Sequence, residues 1–453
     1  METAASGGGK TARAPIRASI PPRRRQHADT IRNDAARSAD CGSMAGMPDP
    51  LRVLIAGGGV VGLETLLALR DLAGDRTTRT LLTPEAEFVY RPMAVGEPFG
   101  RGRAKRHRLD EIAADLGAEL VAGSLDAVDA DAGEAITDDG RRLAFDALVI
   151  GVGANSEPAL PRVLTWTPES DDDVYGGLLR DLEEGYSKQV AFVIPVGVAW
   201  PLPAYELALM TSWAARGMGQ NDIEITVYTP EPAPLALFGA VASRALREDL
   251  DDAGVNVETN AFVIDDGAGN LVVEPGQRAL RAQRVVGLPR AAGRRIRGVP
   301  SDDRGFVRCN RFGQVDGLDD VWAAGDATTF PVKQGGLAAQ MADAAAQAIA
   351  ARAGAPVTPE PFRPVMRGVL LTGRGERWIR GPVGDDEGAS ERHALFWPPT
   401  KIAGRYLSPY LAERDDAEQL GQTPEPDGRA VELDLERDVP EVADALRASP
   451  GAG

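Results

Sequence analysis

Hydrophobic residues in this chain gather in short runs separated by glycine, proline and charged turns. Residues 52–56 (RVLIA) form the first run, short and apolar enough for a parallel strand buried on both faces. A glycine-rich turn follows, then a helical pattern over residues 63–72 and a second strand at residues 79–83 (RTLLT). Strand, turn, helix and strand in that order predict one β-turn-α-β unit. The same order returns downstream, with strands at 189–195 (QVAFVIP) and 223–229 (IEITVYT) around a helix at 204–216. Both second strands close on the same tripeptide, Thr83-Pro84-Glu85 and Thr229-Pro230-Glu231, which predicts a divergent internal duplication.

Between the two units, residues 119–128 and 135–143 predict a small antiparallel piece turning at Asp138-Asp139-Gly140. Residues 147–150 (ALVI) form another buried strand that ends in Gly151-Val152-Gly153-Ala154. After the second unit a turn-rich stretch leads through residues 317–324 to Gly325-Asp326, and an alanine-rich helix is expected at 337–351. Beyond residue 356 the chain alternates loops with strands such as 369–372, and its tail after Glu413 is acidic.

These elements predict an α/β fold: two nested Rossmann-like dinucleotide-binding domains of the three-layer ββα type, with a small C-terminal α+β domain. The expected division is a discontinuous first domain (51–160 and 290–355), a second domain (161–289), a C-terminal domain (356–415) and an acidic tail (416–453). Residues 1–50 lack a hydrophobic period and read as a disordered extension, with Met44 or Met47 the preferred first residue.

Composition narrows the function. The 453 residues are 43% hydrophobic and 26% charged, an ordinary globular balance, and their formal net charge of −17 argues against partners that are themselves polyanions, nucleic acid and anionic membrane. The two cysteines, Cys41 and Cys309, form no CxxC pair, so neither a redox disulfide nor a zinc motif is present. Three histidines (His27, His107 and His393) show no ligand spacing and read as solvated surface residues; no metal is expected. No apolar run approaches the roughly 20 residues that span a bilayer, and no apolar segment follows the N-terminal arginines, so a cytoplasmic location is expected.

The chemistry starts at Gly57-Gly58-Gly59-Val60-Val61-Gly62, which follows a strand directly and opens a helix. Gly57 suits the tight turn, Gly59 lets the backbone approach a diphosphate, and Gly62 allows close helix–strand packing. The helix N-terminus adds free N–H groups and partial positive charge. An acidic residue usually closes the second strand to hold a ribose; here Thr83 stands at the tip, with Glu85 two residues on.

Joined to this corner, Val321-Trp322-Ala323-Ala324-Gly325-Asp326-Ala327 and Asp146-Ala147-Leu148-Val149-Ile150-Gly151-Val152-Gly153 make a second and third signature. The set resembles the FAD-dependent pyridine nucleotide–disulfide oxidoreductase superfamily over about residues 52–351. The resemblance implies FAD, with Asp326 bonding the flavin's ribityl chain. It also implies that the helix opened by Lys333-Gln334-Gly335-Gly336-Leu337 aims its N-terminus at the pyrimidine edge of the flavin. The cofactor-binding residues expected on this footing are Gly57, Gly58, Gly59, Val61, Gly62, Glu85, Arg91, Leu125, Gly151, Gly153, Gly325, Asp326, Lys333, Gly335, Gly336 and Leu337.

Within the superfamily the chain is most similar to the sulfide:quinone oxidoreductase and type II NADH dehydrogenase branch, through Phe88-Val89-Tyr90-Arg91-Pro92, Pro203-Ala204-Tyr205-Glu206 and Leu235-Ala236-Leu237-Phe238-Gly239. Two departures stand out. Trp200 occupies the place of a redox cysteine, and residues 423–453 do not match a basic amphipathic anchor.

The second unit's turn, residues 195–203 (PVGVAWPLP), keeps one glycine where three would be expected, and bulky Trp200 and two prolines restrict the approach of a diphosphate, which weakens a nucleotide site there. Glu231 would favour NADH over NADPH. The leading expectation is a flavoenzyme carrying electrons from a reductant, NADH among the candidates, to a quinone or another small acceptor. The alternatives are a flavin-binding redox sensor and a peripheral membrane sulfide or NADH:quinone reductase. The last would use Phe396-Trp397-Pro398-Pro399 or residues 406–411 as an apolar patch, though both segments fit a core or homodimer surface better. No catalytic side chain is evident; Glu64 and Glu206, each near the start of its unit's helix, fit either the flavin cavity or a surface cap.

Overall fold

A computed structural model describes residues 49–169, 172–380, 389–391, 400–418 and 433–434. The expected disordered extension up to residue 48, His27, Cys41, His393, the 396–399 patch and nearly all of the acidic tail lie outside the described residues.

The chain opens on β1 (Leu51–Ala56), α1 (Val60–Leu72), β2 (Thr77–Thr83), β3 (Glu119–Ala122) and β4 (Ala147–Ile150). It continues with β5 (Leu164–Thr165), β6 (Gln189–Val193), α2 (Leu202–Gly217), β7 (Glu224–Tyr228), β8 (Val255–Glu258) and β9 (Arg284–Gly287). It then returns to the first unit with β10 (Val321–Ala323) and α3 (Gly335–Arg352), before α4 (Leu407–Glu418). The first sheet runs β10-β4-β1-β2-β3 and the second β5-β9-β6-β7-β8, every neighbouring pair parallel. The duplication read from the sequence is therefore present strand for strand, and the returning β10 nests the second unit inside the first.

Burial explains the runs. Val53 to Ala56 and Ala147 to Ile150 are buried at every position, as central parallel strands require. Helix α1 buries Leu63, Leu66, Leu67 and Leu69 and packs against α3, whose buried residues include Ala338, Ala339, Ala342 and Ala345. Gln334 caps α3, its Oε1 accepting from Leu337 N at 2.8 Å.

One expectation needs correction. Residues 119–122 are not part of the antiparallel piece but the parallel edge strand β3. The antiparallel piece is a three-stranded meander of Leu125–Asp129, Glu134–Thr137 and Arg142–Ala144. The edge strand pairs with β2, which only the third dimension brings alongside. His107 is also not solvated: its side chain is 10% exposed, stacks on Phe88 and faces Asp415 at 4.0 Å. Among the described residues no helix is long and apolar enough to cross a membrane, and no group of three His, Cys, Asp or Glu is placed to hold a metal.

Candidate functional site

A cavity of about 410 Å³ opens beyond the C-terminal ends of β1 and β4, between the first glycine corner and the start of α3. Gly57 sits at φ +117°, and a Cβ there would collide with the carbonyl oxygen of Gly151. A Cβ on Gly62 would collide with the Gly57 carbonyl, so these two glycines are fixed by backbone contact. At Gly59 a Cβ would meet nothing within 4 Å, so the corner leaves space on the cleft side. Gly59 is also the N-cap of α1 without any side-chain cap bond. Uncapped first-turn N–H groups beside an open glycine backbone fit a diphosphate.

The opposite corner is Asp326, which is half-buried and lines the cleft. Burial pushes its carboxyl up from the ordinary range, opposed by Lys333 and Arg91. No hydrogen bond to this carboxylate comes from the described residues, so its oxygens stand ready for ligand hydroxyls. A diphosphate at the corner and a polyol at Asp326 would be adjoining parts of a flavin dinucleotide, whose ribityl chain runs from the diphosphate to the flavin ring.

Of the other expected site residues, Gly58, Val61, Glu85, Arg91, Gly151, Gly153, Lys333 and Gly335 line the cleft. Gly325 and Gly62 pack behind it, a Cβ on Gly325 meeting Val61 Cγ2 at 2.7 Å. Gly336 and Leu337 lie in the first turn of α3 and are buried. Leu125 is the exception: it packs against the meander's core and does not line the cleft. Glu85 is exposed and accepts from Thr83 Oγ1 at 2.6 Å. Arg91 pairs with Glu169 at 3.0 Å. The Lys333 ammonium donates to the carbonyls of Thr328 (2.5 Å) and Phe330 (2.8 Å) and lies 4.1 Å from the Phe306 ring centre. Burial lowers its pKa to about 8.

Of the two glutamates singled out in the sequence, Glu206 lines the far wall of the cleft and Glu64 does not, and the sequence gives no sign of the partners that Glu206 finds there. Glu206, from the first turns of α2, is buried, accepts from Leu371 N at 2.8 Å and pairs with Lys401 at 2.5 Å. Burial pushes the Glu206 carboxyl up, opposed by the Lys401 charge. Ile402 N donates to Tyr90 Oη at 2.7 Å, and Gln334 Nε2 donates to Lys401 O at 3.5 Å. These bonds seat residues 400–402 along the cleft, where Lys401 and Ile402 line it. Cys309 offers no thiolate, because burial pushes its thiol up to about 12.

The second corner is built differently. Gly197 keeps a positive φ of +80°, but Trp200 packs edge-on against Phe238 with ring centres 5.5 Å apart. Glu231 accepts from Tyr205 Oη at 2.6 Å and from Thr229 Oγ1 at 3.0 Å. Its carboxylate is thereby engaged within the protein.

The sequence profile described as pyridine nucleotide-disulphide oxidoreductase matches residues 5–166 and 204–351. The sulfide-quinone reductase of Aquifex aeolicus (strain VF5) is 27% identical over 215 residues, 44% of this chain and 48% of that protein, so the chain spans about half of this relative's length. The solved sulfide:quinone oxidoreductase of Aquifex aeolicus superposes with a TM-score of 0.66 at 20% identity, covering 75% of this chain and 86% of that one. An NAD-dependent persulfide reductase from A. fulgidus superposes with a TM-score of 0.53 at 16% identity, covering 74% and 65%. At these identities the two structures show a common fold. The profile match covers more than half of the chain, and the chain belongs to the pyridine nucleotide-disulphide oxidoreductase family, a family of FAD-binding oxidoreductases.

Proposed function

We propose that this protein is an FAD-dependent oxidoreductase that carries electrons from a small reductant to a quinone or another small acceptor. The observation that carries the reading is the cleft in which an uncapped glycine corner faces Asp326, an acceptor carboxylate to which none of the described residues donates. When bound, FAD supplies two-electron redox chemistry; the chain supplies binding and electrostatics. The α1 corner would hold the diphosphate, Asp326 the sugar-alcohol chain, and the α3 N-terminus would favour negative charge on the facing ring. Lys333 is held by Thr328, Phe330 and Phe306, so its charge would act on the cleft through space.

NADH remains a candidate donor by family. The engaged Glu231 and the Trp200 packing favour a donor that reaches the flavin directly. Those same features favour a second reading, a flavin-binding redox sensor with little turnover. The apolar segment 406–411 gives no support to a membrane-docked reductase, because Leu407 and Leu411 are buried.

A visible spectrum of the purified protein, followed by anaerobic titration with NADH, NADPH and sulfide, tests the reading. The expected protein is yellow and is bleached by at least one small reductant. A colourless protein that takes up no FAD on reconstitution overturns it. Flavin that no reductant bleaches favours the sensor.

A further inference from the structure

The two buried glutamates occupy equivalent places. Glu64 is the fifth residue of α1 and Glu206 the fifth residue of α2, and both side chains reach into the C-terminal part of the chain. Glu206 holds Lys401. Glu64 holds the other end of the same segment, its Oε1 accepting from Tyr406 N at 2.8 Å and its Oε2 from Leu407 N at 2.7 Å. Residues 400–407 therefore form a strap anchored at both ends, with Lys401 and Ile402 against the cleft between the anchors.

The anchors differ in how the buried charge is balanced. Glu206 has a lysine. Glu64 has, on the α3 helix packed against α1, a second carboxyl, Asp343, near enough for each group to act on the other's titration. Asp343 Oδ1 is buried with no hydrogen-bond partner. The other titratable groups facing the pair are Arg405 and Tyr406 on the strap and, towards Tyr406, Asp71 of α1. Two adjoining buried carboxyls cannot both ionise readily, so they hold one proton between them. The two backbone N–H donors and the N-terminus of α4 favour the charged form of Glu64, which leaves the proton on Asp343.

We propose that this carboxyl pair is a proton-dependent clasp: Asp343, protonated, donates to Glu64 and so lets Glu64 hold the strap that forms one wall of the cleft. Glu64 and Asp343 are positioning residues, acting on the cleft through residues 400–407. The role of the strap in redox chemistry rests on the flavin reading above; the clasp itself does not.

Burial, with the neighbouring Glu64 charge, pushes Asp343 up to about 9, against about 3.9 for an unperturbed aspartate. The folded pKa is raised, so the proton's contribution is fully present below the lower value, declines as pH rises and is gone above about 9. Opening of the clasp is accordingly expected between about pH 8 and 10.

The test is hydrogen–deuterium exchange over residues 400–411 at pH 7 and pH 10, corrected for the intrinsic pH dependence of exchange, on protein whose flavin content has been read by absorbance. The wild-type strap should lose about tenfold or more in protection at pH 10. Asp343→Asn, which still donates to Glu64 but cannot ionise, should keep its protection at both values. Glu64→Ala should be unprotected at both. Infrared difference spectra of the wild type should lose one protonated-carboxyl band over the same interval, independently of any variant. An Asp343→Asn strap that opens as the wild type does, a strap indifferent to pH, or the absence of that band overturns the clasp. A protein without flavin whose exchange behaves as expected would overturn the functional reading and leave the clasp standing.

Discussion

The two glycine corners of this protein stand on sheets of identical strand order, yet the first meets the cleft with open glycine backbone and the second with the side chains of Trp200, Leu202 and Pro203. Even the strand tips agree. In the first unit Thr83 Oγ1 donates to Glu85 at 2.6 Å, and in the second Thr229 Oγ1 donates to Glu231 at 3.0 Å. The difference lies in what fills the space between. Glu85 is exposed at the rim, whereas Glu231 also receives the Tyr205 hydroxyl, and Trp200 lies where the first corner has glycine backbone. A duplicated scaffold thus keeps its topology while its binding capacity is decided by a few side chains at one turn.

The largest test of this comparison addresses the paired glutamates. Lys401→Met would leave Glu206 buried without its counter-charge and should destabilise the fold by about 3–5 kcal/mol. A urea melt measures it, and a loss below about 1 kcal/mol would mean that the two anchors are not distinguished by charge. Next in size is the first corner itself. Gly57→Ala forces a Cβ into φ +117° against Gly151. Strain of about 1–3 kcal/mol should weaken FAD binding roughly tenfold to a hundredfold. Gly197→Ala strains the second corner at φ +80° but meets no atom within 4 Å, and because Gly197 does not line the cleft it should leave FAD affinity unchanged. Equal losses from both substitutions would erase the contrast, and flavin titration of the apoproteins decides it. The smallest expected effect is Tyr205→Phe, which removes one hydrogen bond from Glu231 and should cost about 1 kcal/mol of stability. If the variant also becomes reducible by NADH where the wild type is not, the Tyr205 hydroxyl is what closes the second site.

Much of this was legible beforehand because it is local. A glycine that must avoid its neighbour's carbonyl, a strand buried on both faces and a repeated tripeptide leave traces within a few residues of one another. The β3 edge strand was misread because its four residues, Glu119–Ala122, adjoin the meander in sequence while pairing with β2 in space. Leu125 was placed at the cofactor but belongs to the meander. Lys333 was legible as a cleft residue, yet its engagement with Thr328, Phe330 and Phe306 was not.

The sequence by itself determined the α/β duplication, the glycine corner at Gly57 to Gly62, the carboxylate at Asp326 and the erosion of the second glycine turn. Tertiary structure alone decided which charges meet. Glu206 finds Lys401 across 195 positions and Glu64 finds Tyr406 across 342, and Asp343 looks like any polar residue of an alanine-rich helix until α1 is packed against it. Local propensity constrains backbone and burial, but a buried charge is stabilised only by whatever the completed fold brings within hydrogen-bond reach, and no period along the chain records that.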